Sequence, residues 1–267
     1  MNAIRDSLLI LVTLTIRSTG KVSLKQKGAN LMKAILAVVM ALVAQAGFAV
    51  EDDMSDSKIK RMLVGSNCYI DNPDAAERMF QNARRRCCGD TNRFARLICE
   101  VAQTNDAWIA EDMIRCLGVY GTPAQLPFLY SMATNEQHGA TAVKSILRLE
   151  GVTSNSVSIS ARYLFSTNYG QRARYEVCDC LISQLAKSRG DRPVAEGVAL
   201  RFMSDCNIYH DWLDAAMMRA NPAYSQSKRR LRVLRAISLR ETDANDLLYV
   251  TNAINELVAY PEVDLPE

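Results

Sequence analysis

Leu129-Tyr130-Ser131-Met132-Ala133-Thr134-Asn135 and Tyr163-Leu164-Phe165-Ser166-Thr167-Asn168 share a tyrosine, an apolar run and a closing Thr-Asn pair. The tyrosines stand 33 residues apart, and a third pair, Thr104-Asn105, precedes Thr134-Asn135 by 30. Gly121 and Gly151, also 30 apart, punctuate the middle of each segment. A period of 30–34 residues leaves room for two helices per unit, each pair hiding its apolar face against the next.

Outward from this stretch the apolar residues keep helical spacing. Ile109, Met113, Cys116 and Leu117 follow i, i+4, i+7, i+8, and Ala142, Val143, Ile146 and Leu149 form a second stripe. A third runs from Leu247 and Leu248 through Val250 and Ile254 to Leu257 and Val258. Asn-Gly and Asp-Gly, the tight-hairpin dipeptides, do not occur, and β-branched runs are short. The pattern predicts an all-α chain with helices over 73–88, 92–103, 107–118, 123–133, 137–149, 154–166, 171–188, 192–205, 209–219, 223–239 and 243–259. Pro73 and Pro222, each after an Asn cap, suit the first helical position, where the missing N–H costs nothing. Gly89, Gly151 and Gly190 suit the left-handed residue that follows a helix.

Leu117-Gly118-Val119-Tyr120-Gly121-Thr122-Pro123-Ala124-Gln125-Leu126-Pro127-Phe128-Leu129 resembles the central segment of HEAT-like (armadillo-type) helical repeats. There a first helix ends in Leu-Gly, a Gly-x-Pro turn follows, and a second Pro precedes the next apolar stripe. The match is closest over residues 107–151, with looser echoes to about 205. Ala110 and Gly139 stand where many such repeats carry Arg, so the family's usual Asp–Arg ladder is not reproduced. The resemblance implies an α-α superhelix, an α-solenoid of antiparallel helix pairs that exposes an extended binding surface. An irregular helical bundle is the alternative architecture.

Composition narrows the class. Of 267 residues 49% are hydrophobic and 7% aromatic, with 12 Gly and 7 Pro, too few for a fibrous or low-complexity chain. Mean hydropathy of −0.07 excludes a polytopic membrane protein. Residues 32–49 read as a signal peptide of compact, bacterial type: Met32-Lys33, an apolar core from Ala34 to Ala44, then Gly47 and Ala49 at −3 and −1. Residues 1–49 form the leader, with Met32 the expected start and 1–31 an added extension. The mature chain should begin at Val50 and carry no membrane span. Removing six basic residues and one acid, a net of +5, turns the formal +3 into −2. That argues against a nucleic-acid partner. Residues 50–66 read as an acidic, flexible lead-in, 67–260 as the helical repeat domain, and 261–267 as a frayed tail.

Eight cysteines lie downstream of the leader, and an even count in an exported chain suggests disulfides. If 171–188 and 192–205 pair as a hairpin, Cys178 and Cys206 fall about a turn apart, a candidate bridge. Cys178, Cys180, Cys206 and His210 form the alternative, a metal- or thiol-dependent factor or enzyme. Cys87-Cys88 after Arg84-Arg85-Arg86 ends a basic helix, with one thiol expected inside and one near the surface; a cation-lowered thiol is the competing reading. Arg229, Arg232 and Arg235 recur at i, i+3, i+6 as a basic face on which an anionic partner could dock. Trp108 and Trp212 read as core, and His138 as a solvated turn residue.

Ser225-Gln226-Ser227-Lys228 matches Ser-x-x-Lys without its companion motifs. Nucleophile elbows, zinc-helix motifs and phosphate loops are absent. No catalytic residue or cofactor is implied. The expectation is an exported, periplasmic or secreted, non-catalytic scaffold for a protein or peptide partner.

Overall fold

A computed structural model describes residues 54–66, 73–187, 191–206, 210–259 and 265–266. The chain divides into two compact units, Met1–Asp53 and Met54–Glu267, and every described residue belongs to the second. The leader and its cleavage site therefore lie outside the described residues, as do Cys68 and Gly190.

The second unit is all-helical, with no strand among the described residues. Twelve α-helices run α1 Asp56–Gly65, α2 Pro73–Arg85, α3 Thr91–Thr104, α4 Ala107–Tyr120, α5 Leu126–Met132, α6 Gly139–Glu150, α7 Ser154–Leu164, α8 Gln171–Leu185, α9 Arg192–Asp205, α10 His210–Ala220, α11 Lys228–Ser238 and α12 Ala244–Val258. Two 3-10 turns, Pro123–Gln125 and Pro222–Gln226, precede α5 and α11. The two long predicted helices at 123–133 and 223–239 are thus each divided. Pro127 falls in the first turn of α5, where its missing N–H costs no hydrogen bond, so that helix starts late. At the second break the buried Ser227 hydroxyl donates to the Tyr224 carbonyl (2.8 Å) and accepts from the Arg230 N–H (3.2 Å), ending one turn and capping α11.

The Thr-Asn pairs stand at or just beyond the ends of α3, α5 and α7, alternate helices, so the period near 30 measures a helix pair. Asn105 donates back to the Val101 carbonyl at 2.8 Å, and Asn135 Oδ1 accepts from the N–H groups of Gln137 and His138. Side chains of this type close one helix and turn the chain into the next. Gly89 and Gly151 hold φ of +77° and +73°, the left-handed region expected after a helix.

Every substantial helix contact joins elements one or two apart in chain order. α4, α6, α8, α10 and α12 touch in succession, and α7, α9 and α11 do the same. At the α4–α6 crossing a Cβ on Gly118 would stand 2.9 Å from the Ser145 Cα, and the Ser145 hydroxyl donates to the Ile114 carbonyl at 2.8 Å. Two small residues let these backbones approach closely. One continuous apolar core runs from Ile59 to Leu265. Phe80, Phe94 and Tyr120 meet within it, ring centroids 5.0–6.0 Å apart, tying α2 and α3 to α4.

Several expectations are corrected. The acidic lead-in contains a full helix, α1, which buries Ile59 and Leu63 while Asp56 bonds Arg93 and Arg96 of α3. In the tail expected to fray, Leu265 is buried and the Pro266 carbonyl accepts from the Lys228 N–H (2.9 Å), an orphan donor at the start of α11. Trp108 and Trp212 are exposed, at 74% and 65%. Trp108 is five residues from the buried Met113, about 140° around the helix at 3.6 residues per turn. Beside Trp212 it is Leu213 that points inward. His138 is buried rather than solvated, and its Nδ1 finds no hydrogen-bond partner among the described residues.

Candidate functional site

Because α4, α6 and α8 lie side by side, their outward faces form an open groove of about 590 Å³. Gly118 and Val119 of α4, Lys144 and Arg148 of α6, and Tyr175, Glu176, Asp179, Cys180, Ser183 and Gln184 of α8 line it, with Lys187 beyond the end of α8. On α8, Glu176, Cys180 and Gln184 repeat at i, i+4, i+8, and Lys144 and Arg148 repeat at i, i+4 on α6. Helical spacing places each set on one stripe.

The two stripes are stitched together. Lys144 Nζ donates to Glu176 Oε2 at 2.6 Å, and the Cys180 thiol donates to the Lys144 carbonyl at 3.8 Å. The Ser183 hydroxyl donates to the Cys180 carbonyl at 2.8 Å. Burial raises the Cys180 thiol above its ordinary pKa, against the opposing pull of Arg148 and Lys144, so it is a neutral thiol near pH 7. Gln184 lines the groove while only 8% exposed, and its carboxamide has no hydrogen-bond partner among the described residues.

Cys178 and Cys180, two residues apart on α8, point about 160° from one another. Cys178 faces the core, where burial first and then Cys206 raise its pKa well above the ordinary thiol value. Cys180 faces α6 and the groove. No disulfide joins cysteines among the described residues, so Cys178 and Cys206 are near one another without a bridge. Among the described residues no group of three His, Cys, Asp or Glu side chains is placed to hold a metal. The His210 side chain is outside the described set. Cys87 is buried and Cys88 exposed, as the basic-helix reading expects; burial raises the Cys87 thiol despite Arg93.

All three arginines of the basic face have interactions within the chain. Arg229 Nη1 donates to the buried Glu196 carboxylate at 2.7 Å, while Arg232 and Arg235 are exposed. Arg230, between them, turns inward. Its Nε and Nη2 grip Asp214 Oδ2 at 3.1 and 3.0 Å, and its Nη1 donates to the Ser225 carbonyl at 3.0 Å. Tyr249 donates to the same carboxylate at 3.0 Å, and the buried Tyr224 hydroxyl lies beside it without a well-formed hydrogen bond. This cluster locks α10, α11 and α12 together. Ser225 of the Ser-x-x-Lys match donates to the Pro222 carbonyl at 2.8 Å, a turn contact with no base beside it.

Sequence reasoning missed most of the groove. The available signal was the polar series Glu176–Cys180–Gln184 running beside the apolar stripe of Val177, Leu181 and Leu185. Compared with models of protein families, with curated proteins and with solved structures, the chain matches none. The class of protein rests on the helices and the groove themselves.

Proposed function

We propose that the chain is an exported, non-catalytic interaction scaffold, a HEAT-like α-solenoid that binds an extended peptide segment of a partner protein across α4, α6 and α8. One observation carries the reading: a single open groove crosses three successive helices of one row and is lined by both charges, a thiol and an amide. A peptide presents alternating polar and apolar groups along its length, and such a lining can serve both. Support for the solenoid comes from substantial helix contacts that join first and second neighbours, from the two rows, and from the 30-residue period of the Thr-Asn turns. Support for export comes from the three-part leader pattern at 32–49.

The test is selection of binders from random dodecapeptides displayed with free C-termini, followed by competition with Ser183→Arg. Ser183 is exposed on the groove wall, so arginine there obstructs the channel while leaving the core untouched. Selected peptides should bind the parent chain saturably and lose at least tenfold in affinity to the variant. Recovery of no peptide that Ser183→Arg blocks would reject the groove as the binding surface.

A further inference from the structure

Resting on the peptide-groove reading, we propose that the groove is specific for a carboxylate: the peptide places an acidic side chain or its free C-terminus between α6 and α8, against Arg148, Lys187 and the Gln184 carboxamide. The charge count points that way. Three cations and two acids line the groove, and the 2.6 Å bond between Lys144 and Glu176 cancels one of each. Arg148 and Lys187 then face Asp179 alone. Arg148 leans toward Cys180, whose neutral thiol is a weak acceptor for a guanidinium. Lys187 has no acidic partner among the described residues. Two cations against one acid leave the groove a net positive charge beside a wall of low dielectric, which attracts an anion, and a guanidinium donates two parallel hydrogen bonds to a carboxylate.

Gln184 is the independent second sign. An amide that no protein group engages, and that is not sealed from solvent, is free to take up a ligand. This one lines a groove, where its N–H donors can meet a ligand oxygen in place of solvent. Cys180, Gln184 and Lys187 follow i, i+4, i+7, so the amide and the ammonium share a face of α8. The terminal carbonyls of α6 and α8 oppose an anion here, since Arg148 is two residues from the end of α6 and Gln184 one from the end of α8; the charges of Arg148 and Lys187, in and just beyond those last turns, offset that field.

The experiment resynthesises the selected dodecapeptides with a fluorescein label in four forms: unchanged, with each Asp or Glu changed to its amide, with an amidated C-terminus, and with both changes. Each is titrated by anisotropy into the full chain and into Arg148→Gln, Lys187→Gln, Gln184→Leu and the distant control Arg61→Gln, with thermal melts confirming that every variant folds. Loss of the peptide carboxylate should weaken binding tenfold or more, and the arm that does so distinguishes a side chain from a C-terminus. Each groove variant should weaken the unchanged peptide by a similar factor and discriminate poorly between charged and neutral forms, while Arg61→Gln changes neither. Peptides that Ser183→Arg blocks but that bind equally well with and without their carboxylates would overturn the carboxylate assignment and leave the peptide groove standing. Absence of any Ser183→Arg-sensitive peptide would remove both.

Discussion

Replacing Arg230 with Met removes the guanidinium that two of its nitrogens aim at Asp214, a carboxylate with no exposed surface. Among the described residues Tyr249 would then keep its 3.0 Å hydrogen bond to the carboxylate, with the Tyr224 hydroxyl beside it. Deleting one member of a buried ion pair leaves an uncompensated charge in the interior and costs about 3–5 kcal/mol. The third guanidinium contact, to the Ser225 carbonyl, is lost as well. In a domain of this size each kcal/mol moves the melting temperature by about 2–4 °C, so the midpoint should fall by roughly 6–20 °C. Asp214→Leu alone should cost a similar amount, because Arg230 is then the stranded charge. The combination Arg230→Met, Asp214→Leu and Tyr249→Phe should recover most of that loss, since a packed apolar replacement of a buried ion pair is often neutral. Urea unfolding followed by circular dichroism at 222 nm on the parent, the singles and the triple provides the cycle. A single Arg230→Met loss below about 1 kcal/mol, or a triple as unstable as the summed singles, would refute the view that this pair clamps α10, α11 and α12.

Gly118→Val should destabilise the unit strongly, by several kcal/mol in urea unfolding, because its first added carbon already stands 2.9 Å from the Ser145 backbone; a change under about 1 kcal/mol would mean that α4 and α6 are not closely apposed. Leu265→Ala should cost about 2–5 kcal/mol by the same assay, whereas a truly frayed tail would give no change. Arg96 and then Arg93 hold Asp56 below its ordinary value of 3.8, and Lys60 above all holds Glu100 below 4.5. Their stabilisation is complete above those unfolded values and is lost as pH falls through the lower folded ones, so the urea midpoint should drop on acidification from pH 5 to pH 2. That drop should shrink in Asp56→Asn and in 1 M salt, and by little in total, because the pairs are largely exposed. Maleimide labelling of native protein read by peptide mass spectrometry should modify Cys88 and spare Cys87 and Cys178 until urea is added; early modification of Cys178 would contradict its burial.

What the sequence by itself determined is local. Apolar spacing at three and four residues sets helices, and Thr-Asn pairs, Pro73, Gly89 and Gly151 set where they stop and start, because capping, proline and left-handed glycine act within a few residues of themselves. That is why the 30-residue period could be read from Thr104, Thr134 and Thr167 and reappears as alternate helix ends. The split at Pro127 followed from one missing N–H.

What only the tertiary structure decided concerns which face of each helix finds a neighbour. Trp108 and Trp212 carry large apolar surfaces, yet no helix among the described residues covers them, while Leu265, seven residues beyond α12, is drawn into the core. Arg229, Arg230 and Arg232 look equivalent on a helical wheel drawn for solvent. One pairs with a buried glutamate, one is buried against Asp214 and one is exposed, since the packing of α9, α10 and α12 around α11 differs on each side. The groove is of the same kind. Lys144 and Arg148 lie more than thirty residues before Gln184, and nothing in local propensity records that α6 and α8 stand side by side. Polar stripes on separate helices become a site only when packing brings them together.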